Sequence, residues 1–299
     1  MTQLTLFAMT AKGLAAVRGA LATSARSIAL VVGARDPGVS DDAYDAIAEL
    51  CRSHGVPHVD RAHATRAETP WAIAVSWRWL IHTDHMRVIV LHDSLLPRLR
   101  GFNPLVTALI NGDSDTGVTA LLASQDMDRG DIVAQDAIRL RYPITIREAI
   151  DDLLPVYESL AARLVDRLAA GVTLHGTAQD EAAATYSLWR DEDDYLVDWT
   201  GDAADVRRFI DAVGAPYRGA ATWLNGMLVR MLAAQELPDV RIENRTPGKI
   251  FQLREGAPVV VCGRGLLLVT RIVDDVGQCS VLPLTRMRAR FQSTRTVSN

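Results

Sequence analysis

A chain of 299 residues, 48% hydrophobic and 23% charged, is long enough for one large α/β domain and a smaller companion. Its 32 basic against 36 acidic residues leave a net charge of -4, which argues against a tRNA or DNA partner, whose phosphates call for a basic excess. Three scattered cysteines (Cys51, Cys262 and Cys279) form no metal-binding or disulfide pattern, and no apolar run approaches the roughly 18 residues of a membrane helix, so a cytoplasmic protein is expected.

The first 140 residues alternate short apolar runs with amphipathic stretches. Leu4 to Ala8 reads as a buried strand rather than a signal peptide, Lys12 to Ala22 as a helix and Ser27 to Gly33 as a second strand. Ser40, followed by Asp41 and Asp42, predicts the cap of a helix that ends at Gly55. Ala72 to Val75, Arg87 to Leu91, Val118 to Ala123 and Ile132 to Ile138 are further strands, apolar without alternation, as strands covered on both faces are. The order predicts a Rossmann-like, open and mainly parallel sheet with ligands beyond the carboxyl ends of its strands. Thr145 and Glu148 form a capping box that opens a long helix through Leu168, with Pro155 inside it. The expected division is 1–175 for this domain, a polar, Ala-rich linker over 176–200, and 201–299 for a small β-rich domain. The last begins with a helix over Asp202 to Val213 and includes strands at Val259 to Val261, Leu266 to Val273 and Ser280 to Leu282.

Two strand ends stand out for chemistry. The run Val88 to Leu91 leads straight into His92, and a loop of Ser94, Leu95, Pro97, Arg98, Arg100, Gly101 and Asn103 follows. The strand after Gly117 ends in an acidic loop over Asp126 to Asp131. A histidine and an aspartate from separate strand ends can share a hydrogen bond that orients the imidazole and raises its basicity. Taken alone, a histidine in a turn reads as structural or solvated. His54 and His58 are four apart, but Gly55 and Pro57 break the helix between them. His82, Asp84 and His85 read as a polar turn, so no metal is expected.

The segment His92-Asp-Ser-Leu-Leu-Pro-Arg-Leu-Arg-Gly101 resembles the signature loop of the folate-dependent formyltransferases. Asn111 to Thr119 is similar to that family's next motif, and Met127 to Asp131 to the loop bearing its aspartate, with a spacing of 36 from His92 to Asp128. Val197 to Trp199, Val206 to Ile210, Ala215 to Ala220 and Pro247 to Ile250 resemble the family's C-terminal OB-like β-barrel domain, most closely that of the sugar N-formyltransferases. The resemblance implies a formyltransferase fold and transfer of a formyl group from N10-formyltetrahydrofolate to a primary amine. His92 would be the base and proton shuttle, and Asp128 its partner.

It further implies a pterin cleft lined by Trp77, Trp79, Leu80, Val88, Leu91, Asp126 and Gly130. The acceptor loop would comprise Ser94, Leu95, Arg98, Arg100, Gly101 and Asn103. The implied acceptor is the amino group of a nucleotide-linked deoxyamino sugar, followed by an amino acid or hydroxyornithine-type siderophore precursor and then Met-tRNA. A homodimer is expected from the sugar enzymes. One position departs from the pattern: Val90 stands where the family carries an asparagine that donates to the oxyanion. His92 with a backbone amide, Asn103 or Thr119 would then take over, or the chain would bind folate or nucleotide without turnover.

Overall fold

In the computed structural model, residues 2–40, 42–64, 68–81 and 85–294 are described. The chain forms two compact units. The first collects 1–105, 114–140 and 148–188; the second collects 106–113, 141–147 and 189–299.

The first unit begins with β1 (Leu4–Ala8), α1 (Thr10–Ser24), β2 (Ile28–Gly33), α2 (Tyr44–Ser53), β3 (His58–Asp60), β4 (Trp71–Val75) and β5 (Arg87–His92). A two-residue strand β6 (Arg100–Gly101) follows, and then helix α3 (Pro104–Asn111), most of which belongs to the second unit. Strands β7 (Asp115–Leu122) and β8 (Ile132–Arg139), helix α4 (Ile146–Ala169) and the short β9 (Tyr186–Ser187) come next. Seven strands make one sheet in the order β3-β2-β1-β4-β5-β7-β8. Pairings from β3 through β5 are parallel, whereas β7 runs antiparallel to both β5 and β8. Only a loop joins β7 to β8, and so short a connection without a crossover helix makes an antiparallel pair. Every residue of β1 and β4 is buried, which explains their unbroken apolar sequences.

The helix after β2 departs from its expected start. It opens at Tyr44, behind Ala43 in a left-handed conformation, and Ser40 caps nothing. Asp42 takes that part by accepting from the Tyr44 amide at 3.1 Å; Asp41 lies outside the described residues, as do His82 and Asp84. The three-residue strand β3 is too short for a periodic signal to reveal it. Helix α4 continues through Pro155. Beyond it, the polar stretch expected as a linker is tied to the first unit: Thr177 exchanges backbone hydrogen bonds with Ile132, and β9 pairs in parallel with β6.

The second unit contains α5 (Ala203–Ala212) and the strands β10 (Ala220–Leu224), β11 (Met227–Leu237), β12 (Ile250–Arg254), β13 (Ala257–Val261), β14 (Leu266–Asp274) and β15 (Phe291–Gln292). They form an antiparallel sheet in the order β12-β13-β14-β11-β10-β15. The β10–β11 hairpin went unread in the sequence although Asn225-Gly226 announces it. Both residues have positive φ (49° and 84°), the backbone that a two-residue hairpin turn needs. The strand expected at Ser280 to Leu282 reduces to one bridge between Ser280 and Val273, because the Ser280 hydroxyl bonds within its own loop. Trp199 packs beside Phe291 with ring centroids 5.4 Å apart and donates its indole N–H to Thr222 at 3.0 Å. Buried Arg230 is paired by Glu192 and Asp275.

Helices α1 and α4 meet at Gly19, where a Cβ would stand 2.1 Å from the Glu158 carbonyl oxygen. Gly19→Ala must push the helices apart, and overpacking of this kind costs about 1–3 kcal/mol. Equilibrium denaturation should show a loss of that size with the m-value unchanged.

Candidate active site at the carboxyl ends of the central strands

Strand order reverses beside β1: the chain moves outward through β2 and β3, then returns to lay β4 and β5 on the other side. Such a switch point opens a crevice beyond the strand ends. There the Met9 amide donates to the Val75 carbonyl at 3.2 Å, and the Thr10 hydroxyl donates to Ser76 at 3.3 Å. Thr10 and Ser76 both have positive φ (62° and 53°) as the chain turns off its strands.

β5 delivers His92 to this edge, with only 7% of its surface exposed. Its Nε2 lies 2.8 Å from the Leu99 carbonyl oxygen. A carbonyl can only accept, so Nε2 carries the hydrogen and the neutral ring keeps its lone pair on Nδ1. That Nδ1 faces Asp128 Oδ2 at 3.6 Å, too long for a hydrogen bond but close enough for the carboxylate to stabilise an imidazolium.

The turn after His92 is held from inside. Thr119, opposite His92 on β7, donates to the Ser94 carbonyl at 2.6 Å and accepts from the Leu96 amide at 3.2 Å. Gln135 donates to the Thr119 hydroxyl and to the Leu96 carbonyl. Ser94 closes its own turn on the Arg98 carbonyl at 2.7 Å. At the far end of the turn the Gly101 amide donates to Asp128 Oδ2 at 2.8 Å, the same oxygen that faces His92.

Asp128 sits in the β7–β8 loop at φ 56°, a strained conformation for a residue with a side chain. Gly130 permits the loop's tight return, since a Cβ there would meet the Leu122 carbonyl oxygen at 1.6 Å. Gln179 fastens the loop by donating to the carbonyls of Asp128 (2.7 Å) and Gly130 (2.8 Å). The Gln179 carbonyl accepts from Arg100, whose fully buried guanidinium also meets Glu181 and Tyr186. Arg129 reaches Glu181 as well, at 2.7 Å. Thr185 completes the attachment: its hydroxyl accepts from Leu99, its carbonyl accepts from Arg100, and its amide donates to Pro97. Residues 177–187 thus form a strap across the His92 and Asp128 loops. Hydrogen bonds from Arg100 first, then Arg129, hold the Glu181 carboxyl down at about 2.

The structure distributes the expected site residues unevenly. His92, Ser94, Gly101, Asp128 and Gly130 converge. Val90, one step back on the same face of β5 as His92, packs half-buried against the cluster of Phe7, Val32, Ala72, Ala74, Met86 and Val88. Trp77 joins that cluster, edge-on to Phe7 and to Trp79, and Trp79 lies under the Arg61 guanidinium. Leu80 is 90% exposed, Leu91 is buried on the opposite face of β5, and Asp126 is exposed, paired with Arg129. Leu95 reaches towards Gly117, Arg98 is exposed, and Asn103 holds a turn at φ 50°. Arg100 is spent on the strap, so its guanidinium does not face an acceptor. Thr119, expected as a stand-in oxyanion donor, has its hydroxyl engaged by Ser94, Leu96 and Gln135. Gln179, Glu181 and the ion pair of Lys12 with Asp93 were not read from the sequence; each lies far along the chain from the group it serves. Among the described residues, no group of three or more metal-ligating side chains assembles.

Glu181 makes the strap acid-sensitive. A carboxyl lowered by folding adds stability above its unfolded value, roughly 4.3, and that contribution disappears as pH falls through about 2. Wild type should therefore exceed Glu181→Gln in unfolding midpoint above about pH 5, and the two should converge near pH 2. Thermal melts across that range provide the measurement.

Comparison with known proteins places both parts of the chain in one family. The family described as formyl transferase matches residues 78–157, and the formyl transferase C-terminal domain matches residues 190–278. The methionyl-tRNA formyltransferase of Roseiflexus sp. is 32% identical over 61% of this chain and 55% of its own length. That of Ralstonia nicotianae is 30% identical over 64% and 58%. The chain thus spans little more than half the length of these curated relatives. Among solved structures, the N-formyltransferase from Helicobacter canadensis, in complex with folinic acid and dTDP-3-aminofucose, aligns over 92% of this chain and 99% of its own. Its TM-score is 0.65 at 13% identity. HypX from Aquifex aeolicus, in complex with tetrahydrofolic acid, covers 91% of this chain and 44% of its own with a TM-score of 0.61 at 17% identity. At such identities the likeness is one of fold. With a formyl transferase domain around His92 and Asp128 and its C-terminal companion after residue 190, the chain belongs to the folate-dependent formyltransferase family.

Proposed function

We propose that this chain transfers the formyl group of N10-formyltetrahydrofolate to a primary amine, with His92 as proton carrier and Asp128 as its counter-charge. The observation that carries this reading is the lone pair of His92 Nδ1 facing Asp128 Oδ2 at 3.6 Å. The folate supplies the formyl carbon; the residues of this chain bring the amine to it and move the protons. As the amine nitrogen bonds to that carbon it must shed a proton, and the departing folate nitrogen must gain one. His92 Nδ1 accepts the first, the imidazolium rests against Asp128, and the same atom returns the proton to the leaving nitrogen. The hydrogen bond from Nε2 to Leu99 holds the other ring hydrogen in place, so Nδ1 is the atom that gains and returns the proton. The half-buried rim of Trp77, Ile81 and Val90 offers a flat heterocycle an apolar wall, with Val90 on the face of β5 that carries His92.

The first acceptor in this reading is the amino group of a nucleotide-linked deoxyamino sugar. The alignment of nearly the whole chain with a sugar enzyme of similar length supports it, and the acidic net charge speaks against the polyanionic tRNA alternative. Methionyl-tRNA is the second reading, favoured by the identity to the tRNA enzymes over about three fifths of the chain. An amino acid or hydroxyornithine-type precursor completes the panel.

Incubation with formyl-folate and each amine, followed by mass spectrometry, tests the proposal. One amine should gain a single formyl group. His92→Ala should slow that step roughly 10²–10⁴-fold, the usual contribution of a positioned acid–base group. Val90→Asn, which restores an amide beside His92, should raise the rate about tenfold or more if the oxyanion site is merely weakened. Folate bound tightly with no amine modified would replace the enzyme with a binding protein.

A further inference from the structure

Of the 32 basic residues in the chain, only Lys12 and Lys249 are lysines; the rest are arginines. Lys249 lies in the second unit, whereas Lys12 stands in the first turn of α1, just beyond the carboxyl end of β1, and is 9% exposed. Its ammonium is paired with the carboxylate of Asp93, the residue that follows His92. A chain that uses arginine almost everywhere therefore places a compact ammonium against the residue that follows its histidine. There a planar fork with five donors would need more room and more acceptors.

We propose that Lys12, acting through Asp93, is a positioning residue for His92. It pins the turn that leaves the histidine and balances the negative charge that Asp93 brings to the imidazole. This rests on the reading of His92 as proton carrier.

The charges around His92 fall into a simple pattern. Asp128 faces Nδ1 from the β7–β8 loop, and Asp93 adjoins the ring along the chain with Lys12 behind it. From β7 comes Thr119, which is uncharged; the strap contributes neutral Gln179, while Glu181 is occupied by Arg100 and Arg129. Burial favours the neutral form of Asp93, but Lys12 first and His92 next outweigh it and hold the carboxyl below its usual range. Two carboxylates beside one imidazole would over-stabilise the imidazolium and slow return of its proton. The Lys12 ammonium cancels one of them and leaves Asp128 as the working counter-charge. Position 90, on the same strand, carries no polar group that could share this task.

The test is the titration midpoint of the His92 ring protons, followed by NMR in the full chain. Lys12→Met leaves Asp93 unbalanced and should raise the midpoint by roughly one pH unit; Asp93→Asn leaves the ammonium unbalanced and should lower it by a similar amount. The double variant should return to wild type. Opposite shifts that cancel support the proposal, whereas unmoved midpoints, or shifts in one direction for both variants, overturn it. If Lys12→Met does not fold, Asp93→Asn decides alone: a fall supports the proposal, and no change or a rise overturns it. Because the midpoint needs no turnover, shifts without formylation of any amine would sink only the proposed activity. Formylation with an unmoved midpoint would sink only the Lys12–Asp93 assignment.

Discussion

One carboxylate oxygen organises the site. Asp128 Oδ2 accepts from the Gly101 amide at 2.8 Å and faces His92 Nδ1 at 3.6 Å, so it joins the turn after β5 to the loop after β7. Local hydrogen bonds shape part of the turn after β5, as Ser94 does on Arg98, but both loops also hold residues in sparsely populated backbone conformations. Asp128 occupies a left-handed conformation, as does Leu99, whose carbonyl fixes the His92 tautomer. Conformations of that kind persist only where the surroundings over-determine them. Here the strap over 177–187 does so, with Gln179 beneath Asp128 and Thr185 beneath Leu99.

This arrangement explains why so polar a region is largely buried. Arg100 is fully enclosed, yet its guanidinium meets the Gln179 carbonyl, the Glu181 carboxylate and the Tyr186 hydroxyl. Breaking one partner of such a group leaves an unpaired buried charge, which penalises alternative loop geometries more than the network stabilises this one. Lys12 and Asp93 repeat that logic on the other side of His92. The imidazole thus lies between two sets of paired charges, with its Nδ1 facing the Asp128 carboxylate.

The repeating elements were legible in the sequence because their signals are local. Unbroken apolar runs located β1, β2, β4 and β5, and His92 was recognisable as the residue at which one such run stops. Glycine at 55 ended α2 where expected, with φ 66°. The failures have physical causes too. Ser40 looked like a cap, but Asp42 does that work from a bent backbone around Ala43. The hairpin signal at Asn225-Gly226 spans only two residues, and Arg100 reads as a ligand-facing cation in sequence although its charge belongs to the strap.

The sequence by itself determined the alternation of strands and helices, the placing of His92 at a strand end, and the acidic loop that follows β7, since periodicity and turn chemistry act over a few residues. Only the tertiary structure decided which Asp128 oxygen His92 faces and which imidazole nitrogen keeps its lone pair. It alone brought Gln179 beneath an aspartate 51 positions away and Lys12 against an aspartate 81 positions away. Those contacts depend on sheet order and on hydrogen bonds between distant segments, and no local pattern of residues encodes either.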